Sequence, residues 1–241
     1  MKEGSLLPIK TVLFDLDGTL LPMDQDNFVK AYMKLLAAYM VPHGYEPQLL
    51  LDGLWKGTGA MVKNDGRTTN EEVFWQVFSP IVGKDARKDE AIFQTFYATD
   101  FQKARAACGF APESAEIVRG LKKRGFRVIL ATNPLFPAVA TENRIRWAGL
   151  TPQDFDLYTT YENSCFSKPN LDYYREILDK SGAAAEECLM VGNDVSEDMV
   201  AQKLGMKTFL LTPCLLNREN LPIENYPHGD FAALADFLNT L

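Results

Sequence analysis

The stretch Val12-Leu13-Phe14-Asp15-Leu16-Asp17-Gly18-Thr19-Leu20, VLFDLDGTL, decides how this chain is read. It opens on three apolar residues of a strand, then places two aspartates and a glycine where strand formers are expected. Taken alone, two readings stay open. Asp-Gly is an ordinary turn dipeptide closing a solvated strand end; alternatively, the carboxylates are held at the strand end for chemistry. The rest of the chain decides.

The chain has 241 residues, 46% hydrophobic and 24% charged, room for one large globular domain or two smaller ones. A formal net charge of -7 argues against general attraction to nucleic acid or anionic membrane. The basic cluster Arg119, Lys122, Lys123 and Arg124 falls at the end of a predicted helix, where it complements the helix dipole on a solvated face. No stretch has the length and apolarity of a membrane span, and MKEGSLLPIK lacks the apolar core of a signal peptide. The four cysteines are scattered without a CxxC pair, and Cys188 reads as a small hydrophobe opening a strand. A reducing cytoplasm is the expected setting.

After the first strand, residues 26–103 show no convincing strand. NFVKAYMKLLAAYM, NEEVFWQVF and KDEAIFQTFYATDFQKA carry apolar residues at helical spacing, separated by turn-rich pieces. Beyond Pro112, predicted helices alternate with short apolar strands: PESAEIVRGLKKRG before FRVILAT, VATENRIRWAG before FDLYTTY, NLDYYREILDKSG before ECLMVGN, and SEDMVAQKLG before KTFLLT. This alternation predicts a doubly wound, Rossmann-like parallel sheet covered on both faces, with residues 11–14 joining it from afar. The expected organisation is an α/β core of residues 1–21 and 108–241 interrupted by a helical cap of residues 22–107.

In such a sheet, ligands bind beyond the carboxyl ends of the strands. Asp15 and Asp17, Thr132 and Asn133, Lys168 in SCFSKPN, and Asn193 and Asp194 all fall at that edge. Each has an ordinary explanation alone, as a cap or a surface group; their convergence does not. Asp15, Asp17, Asp194 and Asp198 together need more positive charge than Lys168 supplies, and their all-oxygen character suits Mg²⁺. Asp198 lies one helical turn beyond Asp194, so one of them can bind the ion while the other supports it. Asp15 and Asp17, if extended, stand roughly 7 Å apart, too far to share one ion, and so have different tasks. Gly18 lets the chain turn sharply, and Thr19 can fix the loop by a local hydrogen bond.

Four ordered motifs, DLDGT at 15–19, ATN at 131–133, SKPN at 167–170 and VGNDVSED at 191–198, make the chain resemble the haloacid dehalogenase (HAD) superfamily, in its branch with a small helical cap. The resemblance implies a phosphatase acting on a small phosphorylated metabolite through a phosphoaspartate. Asp15 would be the nucleophile and Asp17 the proton donor and then base. Thr132, Asn133 and Lys168 would hold the phosphoryl oxygens, and Asp15, the Asp17 carbonyl and Asp194 would hold Mg²⁺. Asn193 stands where relatives often carry an acid, which leaves Asn193 and Asp198 between touching the metal and supporting it. The piece LWKGTGAMVKND resembles a substrate-specificity loop, making Lys56 and Gly57 candidates for reading the substrate. Trp55 and Trp75 are expected in the cap core. Asp17 favours a phosphatase over a dehalogenase or phosphonatase, since those relatives lack the second acid. A phosphomutase of the β-phosphoglucomutase type, using Lys56, Lys63 and Arg67 for a second phosphate, is the alternative; a non-catalytic phosphoester-binding protein is the third reading.

Overall fold

The computed structural model describes residues 8–241; the amino-terminal MKEGSLL, part of the segment read above for a signal peptide, lies outside the described residues. Six strands form one parallel sheet: β1 (Thr11–Phe14), β2 (Arg127–Leu130), β3 (Leu157–Tyr158), β4 (Cys188–Gly192), β5 (Lys207–Leu211) and β6 (His228–Gly229), in the spatial order β3-β2-β1-β4-β5-β6. The runs TVLF and CLMVG are wholly buried, as an all-parallel sheet covered on both faces requires. β1 lies in the middle, its four residues registered against Arg127–Leu130 on one side and Cys188–Val191 on the other. Strand order reverses across β1, so a crevice opens beyond the carboxyl ends of β1 and β4.

Val12 and Phe14 point into one core and Leu13 into the other, the alternation expected of a strand. The first core joins α5 (Pro112–Lys123), α6 (Ala138–Trp147) and α8 (Phe231–Asn239) through Val118, Ile145 and Leu234; the second joins α7 (Leu171–Ser181) through Tyr173, Tyr174 and Ile177. α5 ends in the anticipated basic cluster, with Arg119 paired to Asp154 and Lys122 to Asp156. Cys188 is fully buried, and burial pushes its thiol up to about 11. No described helix is long and apolar enough to cross a membrane.

Between β1 and α5 the regular elements are helical: α1 (Gln25–Met40), α2 (Pro47–Val62), α3 (Asn70–Ile81) and α4 (Glu90–Ala98), with 3₁₀ segments over Val41–His43, Ala86–Asp89 and Asp100–Ala107. Asp24 caps α1 by accepting from the Asn27 N–H at 2.8 Å, Glu46 caps α2 through Leu49, and Thr69 caps α3 through Glu72. An aromatic cluster of Tyr32, Phe96, Tyr97 and Phe101 reaches Phe136 in the loop after β2, so the helical section and the sheet share one core.

Several sequence expectations need correction. LWKGTGAMVKND is not a loop, because its first nine residues complete α2. Gly53 and Gly57, four apart on one face, admit the Phe78 and Phe74 rings so closely that a Cβ would stand 2.8 and 2.7 Å from them. The predicted helix from Lys88 to Ala104 breaks at Thr99, whose backbone leaves the helical region. SEDMVAQKLG forms only a 3₁₀ segment, Met199–Leu204, and the strand in FDLYTTY is two residues long.

Candidate active site

β1 stops at Phe14, so Asp15 and Asp17 sit on the tight loop beyond it rather than along an extended strand. The two carboxylates are therefore told apart by their partners and not by their spacing along a strand. Asp15 is fixed by its N–H donating to Val191 O at 2.9 Å, and the loop closes through Leu21 N–H to Leu16 O at 2.8 Å. Gly18 has φ 86°, and a Cβ there would stand 2.3 Å from Asn193 Nδ2. The Thr19 hydroxyl, as foreseen, binds locally, lying 3.2 Å from Asp15 Oδ2 and 3.0 Å from Asn193 Oδ1. Asn193 Nδ2 donates to Cys214 O at 2.7 Å, so both ends of this amide are spent on tying loops together.

Lys168, 1% exposed, places Nζ 2.8 Å from Asp15 Oδ1 and 2.6 Å from Asp198 Oδ1. Burial works against its charge, but Asp15 and Asp198 together hold the ammonium well above its ordinary value. Burial, opposed by Lys168, pushes the Asp198 carboxyl up to about 7. The second Asp198 oxygen accepts from the Asp194 N–H at 2.9 Å, in space that only a glycine at 192 leaves open. Asp198 is thus committed to the lysine and the backbone. Asp194 uses Oδ1 for the Ser196 and Glu197 N–H groups, at 2.8 and 2.9 Å, while its other oxygen makes no hydrogen bond among the described residues.

Two residues of the site were not singled out in the sequence. Arg144 on α6 is fully buried, pairs through Nη1 with Asp17 Oδ2, and lays its guanidinium 4.4 Å from the Phe136 ring centre. Lys168 is therefore not the lone cation. Burial raises the Asp17 carboxyl above its usual range against the pull of Arg144. Glu197 accepts from Asn133 Nδ2 at 3.1 Å, and burial raises its carboxyl too. The signal for Arg144 was its place on the face of α6 that also carries Ala140, Thr141 and Ala148; Glu197 lay inside the fourth motif. Thr132 is held by its carbonyl, which accepts from Thr159 Oγ1 at 2.6 Å and from the Tyr173 hydroxyl at 2.8 Å.

Asp15, Asp17, Thr132, Asn133, Asn193, Asp194, Glu197 and Asp198 line one pocket of about 30 Å³, with Gln25 at its edge. That volume suits a single ion or water. Among the described residues, five carboxylates face two cations, Lys168 and Arg144, and Asp17 Oδ1 and Asn133 Oδ1 are buried without hydrogen-bond partners. No three Asp, Glu, His or Cys side chains among the described residues form a ready-made metal cage. An all-oxygen site with excess negative charge and only one or two free carboxylates matches Mg²⁺, which completes its shell with water and substrate oxygens.

Lys56 and Gly57 are not brought to this pocket. Lys56 is exposed on α2, and Gly57 is buried against Phe74. Their helix instead walls a second cavity of about 320 Å³ between the helical section and the loop Leu135–Pro137. Trp75 is buried there as expected, but Trp55, 57% exposed, lines the cavity instead of joining the core. Sequence inspection did not single out Asn70 either. Its buried Nδ2 lies 3.2 Å from Pro134 O, 3.3 Å from Phe166 O and 3.1 Å from Ser167 Oγ, linking α3 to the loops that carry Asn133 and Lys168.

The family model for haloacid dehalogenase-like hydrolases matches residues 9–205. The glyceraldehyde 3-phosphate phosphatase of Methanothermobacter thermautotrophicus is 25% identical over 219 residues, covering 90% of this chain and 91% of that protein. The phosphoglycolate phosphatase of Vibrio parahaemolyticus is 28% identical over 207 residues, covering 85% and 84%. Among solved structures, a 2-haloacid dehalogenase from Pseudomonas syringae superimposes with a TM-score of 0.62 at 21% identity, covering 96% of this chain and 99% of that one. That likeness speaks for the fold alone.

Proposed function

Because the chain belongs to the haloacid dehalogenase-like hydrolases, we propose that it is a Mg²⁺-dependent phosphatase that hydrolyses a small phosphorylated metabolite through a phosphoaspartate on Asp15. The observation that carries this reading is the unlike pairing of two aspartates two residues apart. Asp15 faces the Lys168 ammonium, while Asp17 is raised by burial and anchored by Arg144. Carboxyls driven into different electrostatic settings are the mark of divided nucleophile and acid–base roles.

An Asp15 carboxylate oxygen attacks phosphorus as the bond to the leaving oxygen breaks, and Asp17 in its acid form gives its proton to that oxygen. Asp17, now a carboxylate, takes a proton from the water that attacks phosphorus, the Asp15–phosphorus bond breaks, and inorganic phosphate leaves. Lys168, the Thr132 hydroxyl and the Asn133 amide bind the equatorial oxygens, while Thr19 holds Asp15 in orientation. Asp15, the Asp17 carbonyl and Asp194 would hold Mg²⁺, which when bound neutralises phosphoryl charge. Asn193 and Asp198, spent on loop and lysine, support these groups from behind.

Residues 22–107 act as the cap. The relatives named above, phosphatases of small phosphorylated compounds, support the same reaction class. The mutase alternative needs cap cations for a second phosphate. Lys56 and Lys63 are exposed, Arg67 is paired with Asp65 at the surface, and among the described residues Arg218 is the one cation lining the larger cavity. Phosphate release from a panel of phosphomonoesters, with Mg²⁺ and with EDTA, tests the reading. Release that needs Mg²⁺ is expected; a sugar bisphosphate that is isomerised without release would favour the mutase instead.

A further inference from the structure

We propose that the leaving group this enzyme accepts is predominantly apolar, an alkyl or aryl body seated in the 320 Å³ cavity; the inference rests on the phosphatase reading and narrows its substrate class. The cavity walls are mostly rings and alkyl chains, chiefly Phe74, Trp75, Phe93, Leu135, Phe136 and Tyr32, with Gln25, Thr58, Glu90, Gln94 and Arg218 as the polar part of the lining. The Tyr32 and Tyr97 hydroxyls bond to each other at 2.8 Å, so two of the wall's polar tips satisfy one another. Trp75 Nε1 is buried without a partner among the described residues and can meet one polar atom of a ligand. A body with several hydroxyls, or a carboxylate, would still face mostly apolar wall, where desolvation without hydrogen bonds is costly.

Position ties the cavity to the reaction. Gln25 borders both the catalytic pocket and the cavity. Asn133 lines the first, and Leu135 to Pro137, immediately downstream, line the second. Arg144, whose guanidinium pairs with Asp17, stacks on Phe136 of the cavity wall. Asp17 thus reaches the cavity wall through Arg144 and Phe136, and Gln25 is common to both linings, which directs a leaving group on the Asp17 side of the phosphoryl group toward this space. The space is about twice the 150 Å³ apolar cavity known to hold benzene, enough for a bicyclic ring or a chain of about eight carbons. The charged groups on the lining are Glu90 and the exposed Arg218, which leaves no cluster of cations for a second anionic group.

The test is the kcat/KM series for ethyl, butyl and hexyl phosphate with Mg²⁺, against phosphoglycolate and glyceraldehyde 3-phosphate. The alkyl esters share one kind of leaving oxygen, so only the body changes. Full burial of each methylene gives a rise of about three- to fourfold, and partial burial about twofold. Thr58→Phe, which fills the cavity from α2, is expected to flatten the series, with circular dichroism and melting confirming the fold. A series that is flat in the wild type, or a preference for phosphoglycolate over hexyl phosphate, overturns the inference and leaves the phosphatase reading intact. Binding of methyl- and hexylphosphonate, followed by the fluorescence of Trp55 and Trp75, supplies a readout without turnover. If no ester is hydrolysed but hexylphosphonate binds more tightly, the phosphatase reading fails and the apolar cavity stands as a ligand site. If neither effect is seen, both fail.

Discussion

Replacing Arg144 by methionine removes a buried guanidinium while keeping most of its length. The Arg144 side chain is 1% exposed and that of Asp17 18%, so the substitution strands a carboxylate that has little access to water. Breaking a buried ion pair from one side costs about 3–5 kcal/mol, and the partial exposure of Asp17 places this case near the lower figure, about 3 kcal/mol. For a chain of this length that is a fall in melting temperature of roughly 6–12 °C. The cost should depend on pH in a definite sense. The folded-state carboxyl of Asp17 already lies above its unfolded value, and losing Arg144, the strongest influence holding it down, raises it further. A raised carboxyl favours the folded state at low pH and loses that contribution as pH rises through the folded value. The variant's deficit therefore shrinks on acidification and grows toward neutrality. Urea denaturation of Arg144→Met, Asp17→Asn and the double variant completes the test, since neutralising both partners should recover about 2 kcal/mol relative to additivity. Additive costs, or a loss below about 1 kcal/mol for Arg144→Met, would refute the claim that this pair is held as a buried unit.

Gly57→Ala should destabilise the fold by about 1–2 kcal/mol, because the overlap with Phe74 exceeds the helix-propensity gain. Gly59→Ala on the same helix meets nothing within 4 Å and should stabilise by about 0.5–1 kcal/mol; chemical denaturation of both checks the contrast. Asn70→Ala removes hydrogen bonds to three loops, although Asn64 Nδ2 keeps Thr68 O and Ser167 Oγ keeps Met61 O, and should cost about 1–2 kcal/mol, with a larger effect on kcat/KM than Gly57→Ala because two of those loops lead to Asn133 and Lys168. Asp194→Asn should raise the Mg²⁺ concentration for half-maximal activity by about tenfold or more while Asp198→Asn chiefly lowers stability, as read by activity titration and thermal melting.

The parts of this fold legible in the sequence are those set by local pattern. Buried parallel strands such as TVLF and CLMVG announce themselves as apolar runs, and the polar residues that end them mark the sheet edge. What stayed illegible was set by tertiary approach. The glycines of α2 look like breakers until Phe74 and Phe78 occupy the space they leave. Arg144 shares a face of α6 with small residues, yet its partner is set only by Asp17, which arrives from a loop 127 residues earlier. Asn70 looks like a helix-start residue, yet its amide reaches loops 64 to 97 residues downstream. β6 spans two residues, His228–Gly229, too few to show any alternation. At the site, the residue types and their convergence could be read in advance, but the division of labour among Asn193, Asp194 and Asp198 depended on which oxygens were already spent.

The central claim is that Asp15 carries the phosphoryl group and Asp17 moves the protons. The measurement that addresses it most directly is acid-quench mass spectrometry of Asp17→Asn after incubation with Mg²⁺ and acetyl phosphate, whose leaving group needs no proton. The account predicts a peptide containing Asp15 that is heavier by one phosphoryl group, and no such species in Asp15→Asn. Phosphate release by the wild-type enzyme with no phosphoryl group on Asp15 in the quenched variant would contradict it.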